Sequence, residues 1–280
     1  MRAPICLVLV AALHAAVPAA AQTLDRLRES GEIRLGYRTD AEPLSFADPE
    51  GLPAGYAVLV CERIADHLAE ALDLDSLERS YVPIDAEGRF EAVVDGEIDL
   101  LCGAATITLT RRETVDFSLP IFVDGAAVLL PADADPELEA LAGKTVGVRR
   151  GTTTEEILGN SLQAAGIDAE ITAMESHDAG LAALETGEID AYFGDQSILF
   201  ALYFASDASD GLVISDNTLT IEKQALALPR GDTDFRLAVD RAISELFRGG
   251  AMVEIFREAF PGATPGIGLE ALFLLGPELP

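Results

Sequence analysis

The chain has 280 residues, 49% of them apolar, and carries 48 acidic against 19 basic side chains, a formal net charge of −29. This acidity argues against nucleic acid or an anionic membrane as a partner, because both attract basic surfaces. The apolar content argues against disorder. A small anionic ligand is not excluded, because salt at about 0.15 M screens surface charges beyond about 8 Å, and arginines inside a cleft then dominate locally.

The N-terminus has the three parts of a secretory signal. A cationic residue precedes an apolar run over residues 5–13, and small residues follow it. Ala19 and Ala21 match the A-x-A rule, so we predict cleavage before Gln22 and loss of residues 1–21. The alternative, a membrane anchor, is disfavoured because the run is well short of the about 20 apolar residues that a span needs. We therefore expect a mature protein that is free in the periplasm.

Cysteine usage fits an oxidising compartment. Cys6 leaves with the predicted signal, so that Cys61 and Cys102 remain. Two cysteines in such a compartment predict one disulfide, and two buried thiols are the alternative. No cluster of Cys or His accompanies them in the sequence, so we expect no metal site.

The mature chain alternates short apolar strands with amphipathic helices. Strands are predicted over 32–37, 77–83, 98–102, 122–130, 145–148, 169–173, 191–194, 212–214 and 224–228. Helices are predicted over 24–30, 56–72, 88–96, 153–166, 177–186, 196–205, 232–249 and 251–260. This alternation indicates largely parallel sheets with both faces covered. The stretch 131–138 is expected to be an acidic surface loop, and the residues beyond 261 a tail lying on one lobe.

One pattern occurs twice. Gly-Glu-Ile-Asp follows a helix and leads into an apolar strand at residues 96–99 and again at 187–190. Glycine is common where helices end, so a chance recurrence is the alternative. We interpret the two copies as equivalent elements of two similar lobes.

The sequence contains none of the common catalytic motifs. We find no G-x-S-x-G, phosphate loop, H-E-x-x-H or G-x-G-x-x-G, and only His67 and His177 follow the predicted signal. His67 is expected to be solvated on a helix. We therefore predict a binding protein without a cofactor and not an enzyme.

Polar residues stand instead at the ends of predicted strands, where parallel sheets place ligand sites. Residues 101–113 pass from an apolar strand through small and hydroxyl residues to Thr-x-x-Arg-Arg-Glu, which predicts a helix start. Residues 148–155 repeat this arrangement with Gly and three Thr, and Asp195 ends a further strand. An amino acid needs a guanidinium, hydroxyls and helix N–H groups for its carboxylate, and a carboxylate for its ammonium.

In this order the segments resemble the family-3 solute-binding proteins of amino-acid ABC importers. The resemblance rests on GEIRLGYR, GYAVLVCERIA, the stretch 99–122, GKTVGVRRGTTTEE and GEIDAYFGD, and it spans the mature chain. It implies a type II periplasmic binding protein fold, α/β, with a ligand cleft between two lobes. The implied lobes are 22–119 plus 226–280 and 125–221, with hinge strands at 120–124 and 222–225.

Within the family the chain is most similar to the glutamate/aspartate-binding branch, and the likeness implies contacts for the α-groups of the ligand. Arg111 matches the arginine that clamps the α-carboxylate, although its spacing alone equally allows a solvated helix start. Thr106 and Thr152 match hydroxyl or backbone partners of that carboxylate. Asp195 matches the acceptor of the ammonium, and Ala104, where the branch has serine, leaves only a backbone carbonyl.

The likeness also implies a cationic cluster for the ligand's side-chain carboxylate, formed by Arg38, Arg89 and His177. Two positions depart from the branch. Ala86 stands where a serine is expected, and Arg149 replaces a hydroxyl residue. These departures leave open whether glutamate, aspartate or another polar amino acid is bound.

Each of these residues also has an ordinary structural interpretation. Arg38 can pair with Asp40 on the surface, and Arg89 can form a salt bridge within its helix. His177 and Asp195 can each cap a helix that begins beside them.

We therefore predict a monomeric periplasmic protein that binds an acidic amino acid and delivers it to an inner-membrane ABC permease. Two further hypotheses use the same scaffold. One is an exported enzyme resembling the cyclohexadienyl dehydratases, and the other is a ligand sensor that signals to a membrane partner.

Overall fold

The computed structural model describes residues 22–103, 105–215 and 217–277. The predicted signal peptide and Ala104 lie outside these residues. The described part of the chain forms two five-stranded sheets and one small three-stranded sheet. Each large sheet is the centre of one lobe, and two strands pass between the lobes.

Lobe 1 is built first along the chain. Its elements are α1 Gln22–Ser30, β1 Glu32–Arg38, β2 Asp40–Ala41, β3 Ser45–Ala47, β4 Pro53–Ala54, α2 Tyr56–Ala71, β5 Glu78–Ile84, α3 Arg89–Val94, β6 Leu100–Cys102 and β7 Val115–Asp124. Lobe 2 follows with β8 Ala126–Pro131, β9 Thr145–Arg149, α4 Thr153–Ala165, β10 Glu170–Met174, α5 His177–Glu185, β11 Ala191–Asp195, α6 Gln196–Ala205 and β12 Leu212–Ile214. The chain then returns to lobe 1 with β13 Glu222–Pro229, α7 Thr233–Arg248, α8 Ala251–Ala259 and α9 Ile267–Leu275.

The two large sheets have the same plan. Lobe 1 has the order β5-β1-β6-β13-β7, and lobe 2 has the order β10-β9-β11-β8-β12. In each sheet the first three strands are parallel and the fourth is antiparallel to them. The predicted equivalence of the two Gly-Glu-Ile-Asp copies is confirmed, because the aspartate of each copy accepts a hydrogen bond from a backbone N–H of the neighbouring strand. The Asp99 carboxylate accepts the Arg34 N–H at 2.8 Å, and the Asp190 carboxylate accepts the Thr145 N–H at 2.9 Å.

The crossing between the lobes is made by β7 and β13, which pair antiparallel from Val115 to Asp124. The apolar run predicted as one strand over 122–130 is in fact divided at Gly125 between β7 and β8. A Cβ atom at Gly125 would lie 2.3 Å from the Thr220 carbonyl oxygen, so only glycine fits where the chain turns into lobe 2. The exact lobe boundaries given above stay a prediction.

Lobe 1 has its core between the sheet and helices α2, α7 and α8. Tyr56, at the start of α2, is fully buried, and its hydroxyl donates to the Ile121 carbonyl at 2.9 Å. The predicted disulfide is confirmed, since Cys61 on α2 is bonded to Cys102 at the end of β6. The bond ties a core helix to the strand that leads into the segment with Thr106.

One local prediction was wrong, because the expected helix at Thr-x-x-Arg-Arg-Glu is a single 3₁₀ turn over Arg111–Glu113. The tail beyond residue 261 does lie on lobe 1, against β7, but it contains a helix, α9, that was not predicted. Most residues of α9 are apolar, so its sequence shows no helical period. In the described residues no helix combines the length and the apolar content needed to cross a membrane.

Candidate ligand-binding cleft

Seven of the eight residues predicted for the site line one small cavity between the lobes, which in this closed form has room for about one water molecule. They are Arg38, Arg89, Thr106, Arg111, Thr152, His177 and Asp195. The eighth, Ala104, lies outside the described residues. The cavity is also lined by Thr153, Thr154, Gly194 and Ile198. The carboxyl ends of β1 and β11 supply Arg38 and Asp195, as the parallel sheets lead one to expect.

Two larger hollows, with empty volumes of about 1330 and 1900 Å³, lie beneath the 131–141 loop of lobe 2 and along the hinge. Size alone would favour them as ligand sites. Their linings, however, hold no arginine, whereas the interlobe cavity gathers three arginines with a buried carboxylate and an imidazole. We therefore take the interlobe cavity as the candidate site.

Two guanidinium groups of lobe 1 face this cavity without a carboxylate within salt-bridge distance among the described residues. Arg111 Nη1 donates to the Thr106 carbonyl at 2.8 Å, and Arg89 Nη1 donates to the Gly151 carbonyl at 3.0 Å. Both guanidiniums lie over the Phe90 ring, at 4.6 Å for Arg89 and 4.9 Å for Arg111. The buried Arg89 Nε has no hydrogen-bond partner.

The electrostatic environment makes these two cations costly in the absence of an anion. Burial lowers the pKa of Arg89, and the positive charges of Arg111 and Arg38 lower it further. Burial also lowers the pKa of Arg111, an effect that Glu222 and Asp195 oppose. A buried cation without a counter-charge is stabilised by any anion that reaches it, so the pair forms an anion-binding surface.

Asp195 provides the opposite charge from lobe 2. Its carboxylate accepts from Gln224 Nε2 at 2.7 Å and from the Thr154 hydroxyl at 3.4 Å. Burial raises its pKa to about 7, and repulsion by Asp124 and Glu222 adds to this effect. Asp195 stands at the N-cap position of α6, but its side chain makes no capping hydrogen bond. The alternative interpretation as a helix cap is therefore wrong, and the carboxylate is available to a cation.

The predicted hydroxyl partners are already engaged within the protein. Thr152 caps α4, because its Oγ1 accepts the Glu155 N–H at 3.3 Å and donates to the Arg149 carbonyl at 2.7 Å. The Thr106 hydroxyl donates to Glu222 at 2.5 Å. The start of α4 nevertheless lines the cavity, so its backbone N–H groups remain suited to an anion.

His177 lies at the first turn of α5, and Ser176 caps that helix, so the prediction that His177 might serve as the cap is wrong. Its Nδ1 is 2.9 Å from the Tyr192 hydroxyl, and its buried Nε2 has no partner. Burial and the nearby Arg38 lower the pKa of His177 to about 3, so the imidazole is neutral at pH 7. If Tyr192 donates to Nδ1, Nε2 carries the proton and is a donor directed at the site.

Arg38 is buried, yet it does pair with Asp40, through Nε to Oδ1 at 2.9 Å. The other oxygen of Asp40 accepts from Arg149 Nε at 2.7 Å. The pairing weighed in the sequence is thus real, but it lies in the cleft and not on the surface. Sequence reasoning missed Tyr192 and the contact of Asp40 with Arg149, although Arg149 had been noted as a departure. The available signal was the Arg-x-Asp spacing of Arg38 and Asp40, together with Arg149 at the end of another predicted strand.

Direct contacts close the cleft. The Thr153 hydroxyl of lobe 2 lies 3.4 Å from that of Thr106 and donates to Glu222 at 3.2 Å. A Cβ atom at Gly151 would lie 2.9 Å from Glu87 Cγ of lobe 1, so the lobes meet closely at this turn. Within the described part of the chain no group of three or more His, Cys, Asp or Glu is arranged to hold a metal ion.

The geometry has the features of an amino-acid site, and residues 33–262 match the family described as bacterial extracellular solute-binding proteins, family 3. The chain belongs to this family. The L-glutamate/L-aspartate-binding protein of Pseudomonas aeruginosa is 28% identical to this family member, over 92% of this chain and 86% of that protein. The L-cystine-binding protein TcyJ of Escherichia coli is 27% identical over 85% of each chain.

Solved structures agree with this assignment. A mutant of ArgBP from T. maritima superposes on this family member with a TM-score of 0.75 and 26% identity, covering 85% of this chain and 98% of that one. The fold is therefore the type II periplasmic binding protein fold of mixed α/β lobes. Relatives of this similarity are named for glutamate and aspartate, for cystine and for arginine, so the family membership defines an amino-acid binding protein without defining the amino acid.

Proposed function

We propose that the protein is the periplasmic substrate-binding component of an amino-acid ABC importer and that its ligand is an acidic amino acid, L-glutamate or L-aspartate. The observation that carries this proposal is the presence of two guanidiniums, the buried Arg89 and the half-buried Arg111, that face one cavity with no carboxylate of the described residues within salt-bridge distance. Two such cations suit a ligand with two carboxylates, and Asp195 suits its single ammonium.

Each group of the ligand then has a protein partner. Arg111 and the N-terminus of α4 receive the α-carboxylate, and Asp195 receives the ammonium. Arg89 receives the side-chain carboxylate, with a hydrogen bond from His177 Nε2. Arg38, the remaining cation of the predicted cluster, acts at a distance, because Asp40 occupies its guanidinium. Ala104, the eighth predicted site residue, would contribute its backbone carbonyl to the ammonium.

The proposed function depends on closure of the two lobes around the ligand and not on a reaction of the ligand. The guanidiniums that receive the carboxylates lie in lobe 1, whereas Asp195 and the N-terminus of α4 lie in lobe 2, so the ligand is held on both sides only when the lobes approach each other. Closure excludes water and strengthens each charged contact. The closed monomer is then the form that the inner-membrane permease receives in the periplasm.

A neutral or cationic amino acid is the second candidate, favoured by the Asp40 carboxylate beside Arg38 and Arg149. Asp40 reduces the positive charge at the side-chain end of the cleft. Relatives named for cystine and arginine show that this scaffold carries such ligands elsewhere in the family.

Calorimetry with matched pairs of amino acids tests the proposal. The protein is unfolded and refolded to remove any bound amino acid, and is then titrated with L-glutamate, L-glutamine, L-aspartate, L-asparagine, L-cystine and L-arginine. Glutamate and glutamine have nearly the same shape, so their difference isolates the side-chain carboxylate. We expect glutamate or aspartate to bind at least about tenfold more tightly than its amide, equivalent to about 1.4 kcal/mol. Tight binding of an amide, cystine or arginine, with none of the acids, contradicts the ligand assignment.

A further inference from the structure

One carboxylate bridges the two lobes at the edge of the cavity. Asp40 stands in β2 of lobe 1 and accepts from Arg38 of the same lobe at 2.9 Å and from Arg149 of lobe 2 at 2.7 Å. The side chains of Arg38 and Arg149 are 2% and 4% exposed, and that of Asp40 is 15% exposed. Three charges are therefore largely withdrawn from water together, and each oxygen of the Asp40 carboxylate accepts from one of the two guanidiniums.

Both arginines are fixed within their own lobes. The Arg38 N–H donates to the Ser45 hydroxyl at 2.9 Å, at the end of β1. Arg149 ends β9, and its Nη1 donates to the carbonyls of Arg150 at 3.2 Å and Met174 at 3.4 Å. The Arg38 backbone and the Arg149 guanidinium are thus each held within their own lobe, so the Asp40 bridge connects the ends of β1 and β9. It therefore sets how closely β1 and β9 approach when the cleft closes.

The ends of β1 and β9 lie in the two opposite walls of the site. Arg38 lines the cavity itself, and Arg149 directly precedes the turn that leads through Gly151 to Thr152 and the start of α4. The Thr152 hydroxyl donates to the Arg149 carbonyl at 2.7 Å, so the bridge and the N-terminus of α4 share one backbone segment. A displacement of Arg149 moves the helix start that faces the ligand.

The positive charges around the cleft also need the Asp40 carboxylate as a counter-charge. Closure brings Arg149 of lobe 2 towards Arg38, Arg89 and Arg111 of lobe 1, and the charges of Arg111, Arg38 and Arg149 lower the pKa of the buried Arg89. Without Asp40, Arg38 and Arg149 would face each other with no counter-charge between them. Like charges that are withdrawn from water oppose closure.

We propose that Asp40 and Arg149 are positioning residues that form an interlobe latch with Arg38, which stabilises the closed cleft and aligns its two walls for the ligand. The latch uses only groups of the protein. It therefore acts on every amino acid that the cleft accepts, and it does not depend on the ligand assigned above.

The first test measures closure in the absence of ligand. Spin labels are placed at Arg63→Cys in lobe 1 and Gln163→Cys in lobe 2, two exposed helix positions, and pulsed EPR gives the interlobe distance distribution. We expect the refolded, ligand-free protein to populate a closed state. Asp40→Asn and Arg149→Gln should each lower the closed-to-open ratio on the order of tenfold. Asp66→Asn is the matched control, because it removes an aspartate–arginine pair on the surface of lobe 1.

The second test uses the same variants in calorimetry with L-glutamate, L-aspartate and their amides. The latch predicts that each single variant weakens every ligand that the parent binds by a similar factor, on the order of tenfold to a hundredfold. The double variant should be no worse than either single one, because both remove the same contact. Arg149→Lys, which keeps a charge at the position, should recover part of the loss.

Three outcomes contradict the latch. The first is a parent protein with no closed population in the absence of ligand. The second is an Asp40→Asn protein with unchanged closure and affinity. The third is a loss confined to glutamate and aspartate with unchanged closure, which would place Asp40 in direct contact with the ligand's side chain. If the parent binds none of these amino acids, the ligand proposal fails, and the EPR distances still test the latch.

Discussion

The two lobes share one sheet plan but present opposite chemistry to the cleft. Lobe 1 contributes guanidiniums, and in the described part of the chain no carboxylate lies within salt-bridge distance of Arg89 or Arg111. Lobe 2 contributes the carboxylate of Asp195, the neutral imidazole of His177 and the N-terminus of α4. Among the residues that line the cavity, the guanidiniums come from lobe 1 and the carboxylate of Asp195 comes from lobe 2. In the proposed site, recognition of the ligand therefore requires closure of the lobes.

The largest expected effect comes from removing the cation of the lobe 1 wall that serves every amino acid. Arg111→Ala should weaken all ligands by about 2–5 kcal/mol, because the ligand's α-carboxylate is left without its charged partner in a closed cleft. Calorimetry with the panel above measures this loss. Arg112→Ala is the matched control, since this neighbouring guanidinium is exposed and does not line the cavity. Affinity that is unchanged in Arg111→Ala would remove the basis of the site assignment.

Much of this arrangement could be predicted from the sequence, because strand ends in parallel sheets converge. Arg38 and Asp195 end strands and meet for that reason, whereas the other five predicted residues that line the cavity were implied by the family resemblance. The division of the 122–130 run at Gly125 could not be predicted, since it depends on the carbonyl of Thr220, which comes from the other crossing. The bridging role of Asp40 was equally hidden. It needs Arg149 from a strand more than 100 residues away, and local spacing reports only the contact with Arg38.

The disulfide lies in lobe 1 and is expected to stabilise this lobe but not lobe 2. Cys61 and Cys102, 41 residues apart, cross-link lobe 1. For a loop of this length the chain-entropy account gives about 4 kcal/mol of stabilisation. We expect reduction to lower the unfolding temperature of lobe 1 and to leave that of lobe 2 unchanged, as measured by scanning calorimetry or by hydrogen exchange resolved along the sequence.

The control for this prediction is the double variant Cys61→Ser, Cys102→Ser. It should already unfold at the lower temperature and should not respond to reductant. Equal losses of protection in the two lobes would contradict the local role of the bond. Ligand affinity should also fall in the reduced protein, because Cys102 ends the strand that leads to Thr106.

A smaller effect is expected at the side-chain end of the cleft. His177→Ala should weaken glutamate or aspartate by about 1.5–3 kcal/mol, the usual contribution of a hydrogen bond to a charged group. The corresponding amide should lose much less, which separates this change from a general distortion. Tyr192→Phe should act in the same direction more weakly, because it removes only the hydroxyl that contacts Nδ1. Equal losses for acid and amide would show that His177 does not contact the side-chain carboxylate.

The smallest effect is a dependence on pH that has opposite signs for the empty and the occupied cleft. The pKa of Asp195 is raised from 3.8 to about 7 by burial and by the nearby Asp124 and Glu222. In the empty protein the protonated carboxyl is therefore favoured by folding. Its contribution to stability is complete below the unfolded pKa and is lost as the pH rises from about 3.8 to 7.

The ligand reverses this preference, because its ammonium stabilises the ionised carboxylate of Asp195. Below pH 7 binding must release a proton, so affinity should fall on acidification by up to about tenfold per pH unit. Calorimetry in buffers of different ionisation enthalpy measures the released proton directly. In Asp195→Asn the proton release should disappear and the affinity, already lower, should become nearly independent of pH between 5 and 7. A persistent release would assign it to Asp124, whose pKa burial also raises, to about 6. Either result identifies which carboxylate, that of Asp195 or that of Asp124 at the hinge, loses its proton when the lobe 1 arginines close over the ligand.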